Sequence, residues 1–183
     1  MDNVAIPIRI AVLSLVLIAA VYDFRFLRIP NWLNASGLVL GFGLNLLFSQ
    51  WHGLAVAGEG LLLAAAIYLP FYLLRGMGAG DVKLMAAIGS LVGPWPWFQI
   101  FLATAILGGV AAVLLALCKK RFTETCINMY ALLHDFLRLR APYKTNSQVD
   151  VRNAEALRMP HAVIIGLGTL VVLSIPISPL RLS

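Results

Sequence analysis

Long apolar runs separated by short polar breaks set out the architecture of this chain. The first run covers about residues 4–22 and is interrupted only by Pro7 and Arg9. A polar break from Asp23 to Asn31 follows, in which Pro30 stops or starts a helix and Ile29 before it is biased away from helical angles. A second run extends from about Trp32 to Phe48 and carries Gly37-xxx-Gly41, a spacing that lets helices approach closely. Gln50, Trp51 and His52 then make a short turn, and a third run spans about Leu54 to Leu74 with Glu59 inside it. The stretch from Leu84 to Leu117 is too long for one crossing, and Gly93-Pro94-Trp95-Pro96-Trp97 divides it. That division predicts a short fourth helix from Asp81, reaching only ~20 Å into a ~30 Å hydrocarbon core. It also predicts a fifth helix from about Phe98 to Leu117, and a last run covers about Pro160 to Ile175.

Between the fifth and last runs lies the one long polar stretch, residues 118–159. Phe122, Cys126, Met129, Tyr130, Leu133, Phe136 and Leu137 recur there at helical spacing, flanked by Lys120, Arg121, Arg138 and Arg140. This pattern predicts an amphipathic helix lying on the inner leaflet. Composition agrees with the runs: of 183 residues, 61% are hydrophobic and 12% charged, against roughly 45–50% and roughly 25% in soluble domains. The expected fold is therefore all-α and polytopic, one integral membrane domain over residues 1–183 with six transmembrane helices.

The net charge of +6 is distributed as the positive-inside rule requires, not as a nucleic-acid surface. Six crossings from an outside amino terminus put Arg25, Arg28, Arg75, Lys83, Lys119, Lys120, Arg121, Arg138, Arg140, Lys144, Arg152 and Arg158 inside, and only Arg9 and Arg181 outside. The lipid bilayer is thus the expected partner, in a cytoplasmic membrane, and nucleic acid is not. Ala19-Ala20-Val21 resembles a signal-peptide cleavage site, but basic residues follow the run rather than precede it, so it reads as a true first span. Cys118 and Cys126 alone do not complete a tetrahedral zinc site, and His52, His134 and His161 share no face, so no metal is expected. Trp95 and Trp97 read as interfacial anchors.

In this topology Asp23 ends the first helix and Asp81 begins the fourth, both at the cytosolic end. A carboxylate is favoured at a helix amino terminus and disfavoured at a carboxyl terminus, and like-charge repulsion leaves two neighbouring carboxyls holding one proton between them. Such a dyad is what an aspartic peptidase uses, one carboxylate activating water while the other acid polarises the scissile carbonyl. The dipoles cast Asp81 as the base and Asp23 as the protonated partner. Gly78 and Gly80 leave room for substrate backbone. Lys83 either biases the dyad toward carboxylate or snorkels to the interface. Structural alternatives stand beside these readings: Asp81 as a helix cap, Asp23 as an ion-pair partner of Arg25 or Arg28. Glu59 reads as a carboxyl protonated or hydrogen-bonded inside the bundle, or else as the ion site of a small transporter or channel.

Gly78-Ala79-Gly80-Asp81 is a GxGD motif, and with Val82-Lys83-Leu84 it resembles the signature of type IV prepilin peptidases. Asp23 followed by Arg28-Ile29-Pro30-Asn31-Trp32-Leu33 is similar to that family's first-aspartate segment, and Met159-Pro160-His161-Ala162-Val163 with Gly166 is similar to the start of its last helix. The resemblance implies a membrane aspartyl peptidase with Asp23 and Asp81 catalytic, no cofactor, and prepilin-like substrates with an apolar N-terminal helix. It implies cleavage of a short leader at the cytosolic face. Larger members also methylate the new amino terminus and carry paired zinc-binding cysteines. This sequence has no CxxC pair and opens on its first span, so it resembles the small peptidase-only form of tight-adherence pilus systems, with no methyl transfer expected. Archaeal preflagellin peptidases and, through Tyr22-Asp23, presenilin-type proteases are similar as well. None of these motifs sets an oligomeric state.

Overall fold

The computed structural model describes residues 6–73, 77–118 and 161–174. These form α1 (Ile6–Phe26), α2 (Asn31–Leu73), α3 (Ala79–Val92), α4 (Pro94–Cys118) and α5 (His161–Ser174), with no strand among the described residues. The predicted amphipathic segment at 118–159 lies outside them apart from Cys118.

The 43 residues of α2 are two helical arms joined at a reversal. Gln50 has φ 51° and ψ −136° inside it, a backbone conformation that only glycine adopts without strain. On either side of Gln50 the chain packs on the same part of α3. A Cβ at Gly41 would stand 2.9 Å from the carbonyl carbon of Ser90, and one at Gly60 would stand 2.7 Å from that of neighbouring Gly89. Residues 41 and 60 therefore sit at one depth, and α2 is a helical hairpin whose two arms match the second and third apolar runs. Asn45 pins it, with its buried amide nitrogen 3.0 Å from both the Ser90 and Leu91 carbonyls. The hairpin and α3 approach this closely because small residues face one another, as the Gly37-xxx-Gly41 spacing predicts.

The break after α3 is narrower than the sequence predicts. Gly93 alone makes it, with φ 81°, and Pro94-Trp95-Pro96-Trp97 forms the first turn of α4. Prolines are tolerated there because the first N–H groups of a helix have no intrahelical acceptor. Trp95 is 62% exposed and fits an interfacial anchor, but Trp97 is fully buried, which corrects the expectation for that residue. Its Nε1 donates to the Met85 carbonyl at 2.9 Å, its ring stacks on Phe101, and Tyr68 meets it edge-on.

Among the described residues, three helices are long and apolar enough to cross a membrane: α1, α2 and residues 94–115 of α4. Large side chains such as Leu17, Val39 and Leu47 stand exposed around them. An apolar outer surface of that extent fits a lipid solvent, since soluble chains rarely expose contiguous apolar area. The core lies where α3 meets α1, α2 and α4, and includes Val12, Leu33, Leu84, Met85, Ile88, Trp97, Ile100 and Ile165. Helix α5 closes the bundle against α1 and α4.

Candidate active site

Asp81 is the third residue of α3, and its backbone is held by the turn before it. The N–H groups of Asp81 and Val82 donate to the Gly78 carbonyl at 3.2 and 3.4 Å. The Asp81 carboxylate in turn lies beside Gly78 and its N–H, the placement that the reciprocal half of a capping box uses. Only 9% of Asp81 is exposed. The side chain space left by Gly78 is bordered by Asp81 Oδ2 at 3.2 Å, and that left by Gly80 by the Cβ of Ile29, also at 3.2 Å.

Asp23 lies one turn inside α1 rather than at its end, because the helix continues to Phe26. The side chain is buried, and its Oδ2 accepts a 2.8 Å hydrogen bond from the backbone N–H of Ala162. Ala162 is the second residue of α5, so a carboxylate from α1 supplies the cap that this helix takes from 139 positions away in the chain. The two helix dipoles that the sequence assigns to the aspartates are therefore incomplete. Asp81 faces the amino terminus of its own helix, and Asp23 faces the amino terminus of α5.

The two acids belong together. Asp81 lies within electrostatic reach of Asp23 and of His161, and Tyr68, buried in the second arm of α2, lies within reach of Asp81. Asn34 in the first arm completes the surroundings: its Nδ2 donates to the Gly80 carbonyl at 3.4 Å while its buried Oδ1 has no hydrogen-bond partner among the described residues. Asp23, Asp81 and His161 do not converge as a metal-binding trio, and no such group of His, Cys, Asp or Glu occurs among the described residues. Lys83 points away from this cluster to the exposed side of the turn, where its Nζ donates to Asn31 Oδ1 at 2.9 Å.

Glu59 stands elsewhere. It is exposed on the outer side of the second arm of α2, not inside the bundle where the sequence reading put it. Cys118 is exposed and free, and Cys126 and His134 lie outside the described residues. Sequence reasoning singled out the two aspartates but not Tyr68, Asn34 or the Ala162 N–H near them, and it weighed His161 as a metal ligand and as part of the start of the last helix, not as a neighbour of Asp81. The Pro-His-Ala start of the last helix was the available signal, but proximity to Asp81 over 80 positions is a property of packing.

An apolar helical bundle holding two buried, mutually interacting carboxyls from separate helices is a membrane-type protein with a paired acidic centre. Residues 10–113 match the model of the type IV leader peptidase family, and the chain belongs to that family. It is similar to the "Prepilin leader peptidase/N-methyltransferase" of Escherichia coli strain K12, 35% identical over 124 residues covering 61% of this chain and 52% of that one. The protein of the same name from Bacillus subtilis strain 168 is 34% identical over 120 residues, covering 60% and 46%. The chain thus spans about half the length of these curated relatives. No solved structure matches it.

Proposed function

We propose that this protein is a membrane-embedded aspartic endopeptidase that removes the leader peptide of type IV prepilin-like substrates at the cytosolic membrane face. The observation that carries the reading is the meeting of Asp23 and Asp81, from α1 and α3, within electrostatic reach of each other in a member of the leader peptidase family. In this mechanism the two carboxyls share one proton. The ionised one takes a proton from water as it attacks the scissile carbonyl, and the protonated one donates to the carbonyl oxygen as it becomes tetrahedral. The Ala162 N–H holds the Asp23 carboxyl and the Asp81 carboxyl lies beside Gly78 at the start of its own helix, so both are preorganised for the step. Six crossings carry this site: α1, the two arms of α2, α3, α4 and α5. The excess of basic residues in the loops on the dyad's side orients it to the cytosol.

The reading is peptidase alone, without methyl transfer. Cleavage of a prepilin in proteoliposomes tests both parts. Wild type releases the leader, Asp23→Asn and Asp81→Asn each abolish release while still inserting, and the new amino terminus shows no added methyl mass. Normal processing by either aspartate variant refutes the dyad, and a methylated product refutes the restriction to peptidase chemistry.

A further inference from the structure

We infer that Asn31 and Lys83 form a positioning latch that sets Asp81 against Asp23. The inference rests on the peptidase reading for its kinetic consequence, but its geometry stands alone. Asp23 is followed by a tight turn in which Leu27 is forced to a positive φ of 49°, a conformation costly for a residue with a side chain. The chain then passes through Ile29 and Pro30 into the first turn of α2, where the Pro30 carbonyl accepts from Leu33 and Asn34. This segment, tied covalently to the first acid, lies directly on the turn that carries the second.

Three contacts join them. Ile29 covers Gly80, whose missing side chain makes room for it. Asn34 Nδ2 reaches the Gly80 carbonyl. On the exposed side, Lys83 Nζ donates to Asn31 Oδ1 at 2.9 Å. An ammonium only donates, so it fixes which end of the Asn31 amide faces it. An isolated exposed bond of this kind adds little. Here it closes a patch whose other two contacts are an apolar touch and a long 3.4 Å hydrogen bond, and among the described residues it is the shortest polar contact between the two turns. A snorkelling lysine would reach away from the protein into the headgroup region; this one turns back to the neighbouring helix start. Asn31 and Lys83 bond to each other rather than to either carboxyl, and act through the distance between the two carboxyls.

The test uses the full chain in lipid, with Asn31→Ala, Lys83→Met and the double variant assayed on a prepilin. Each single variant is expected to lower kcat by ~10- to 100-fold, the loss that a misplacement of about 1 Å brings, with KM within about twofold and unchanged melting. The double variant should lose no more than either single one, and Asn31→Asp, which keeps an acceptor for the ammonium, should recover most of the loss. Additive losses, a change confined to KM, or an Asn31→Asp variant as impaired as Asn31→Ala overturns the latch. Spin labels at positions 24 and 79, with Cys118 and Cys126 replaced by Ser, read the same tether without reference to cleavage. The distance distribution is expected to be narrow in wild type and broad in Asn31→Ala; equal widths also overturn the proposal. Wild type that fails to cleave while the label distances respond as expected sinks the peptidase reading and leaves the latch standing.

Discussion

Two glycines two positions apart in the same arm of α2 should respond in opposite directions to the same added methyl group. Gly60 faces α3: a Cβ there would stand 2.7 Å from the Gly89 carbonyl carbon, closer still to its oxygen, and 3.0 Å from the Gly93 carbonyl carbon. All three are backbone atoms, so no rotamer change relieves the clash. Ordinary contact begins near 3.4 Å, so relieving the carbon contact alone parts the second arm of α2 from α3 by about 0.7 Å, and the nearer oxygen demands more. Overpacking of this kind costs ~1–3 kcal/mol, offset by at most ~1 kcal/mol from the better helix propensity of Ala. The net expectation for Gly60→Ala is a loss of ~1–2 kcal/mol. Because α3 carries Asp81 at its other end, a displacement approaching 1 Å should also lower cleavage by up to ~100-fold. Gly58 has no atom within 4 Å of its would-be Cβ, so Gly58→Ala should gain ~0.5–1 kcal/mol with cleavage unchanged. Thermal unfolding in detergent, read beside prepilin cleavage in proteoliposomes, separates the two effects. A Gly60→Ala protein that melts at or above wild type with full activity would refute the packing derived for the hairpin, as would a Gly58→Ala protein that falls as far as Gly60→Ala.

Other substitutions test other joints. Gln50→Gly should stabilise the hairpin by ~1 kcal/mol, because glycine adopts the positive φ of 51° without a Cβ clash; chemical unfolding in mixed micelles measures it. Trp97→Phe should cost ~1–3 kcal/mol, since it removes the buried Nε1 bond to the Met85 carbonyl and leaves a void beside Phe101; unchanged melting would place Trp97 at the interface after all. Asp23→Ala should lower stability by ~0.5–2 kcal/mol through loss of the cap on α5. Asp23→Asn, which keeps a carbonyl oxygen for Ala162, should melt near wild type, and identical melting of the two would show that the cap contributes nothing.

What the sequence made legible divides along the range of the interaction. Apolar runs and their breaks are local, so the helical class, the two arms on either side of Gln50 and the short α3 could all be read in advance. Pairing of small residues is nearly local as well, and Gly37 and Gly41 do face α3. Errors begin where a residue's neighbour lies far along the chain. Trp97 looks like an anchor because it sits in a Pro-Trp-Pro-Trp string, yet one turn of α4 directs its ring to Met85, twelve positions back. Glu59 looks internal because it interrupts an apolar run, but which side of a helix faces its neighbours depends on where α3 docks. Asp23 and Asp81 were identifiable because acids are expensive in apolar runs. Their partners Ala162, His161 and Tyr68 were not, nor was Asn34 against the Gly80 carbonyl, since nothing in a backbone N–H, a tyrosine or an asparagine marks it as facing a group on another helix.

The two carboxyls are held in different ways, and this asymmetry can be tested. The backbone of Asp81 is held by its own turn through Gly78, so its orientation within α3 is local even though the latch sets where that turn lies. Asp23 is fixed by α5, whose position depends on how α5 packs against α4 and α1. That packing is tight at one point: a Cβ at Gly168 would stand 2.9 Å from the backbone nitrogen of Thr104 and 3.0 Å from its Cα. Gly168→Ala should therefore push α5 away from α4 and loosen the Ala162 bond to Asp23 without touching α3. Lost protection of the Ala162 amide in hydrogen exchange, with the Asp81 and Val82 amides unchanged, is the expected signature, together with lower cleavage. If instead both helix starts lose protection together, the two acids are held by one cooperative unit and the division drawn here between a local and a distant support is wrong.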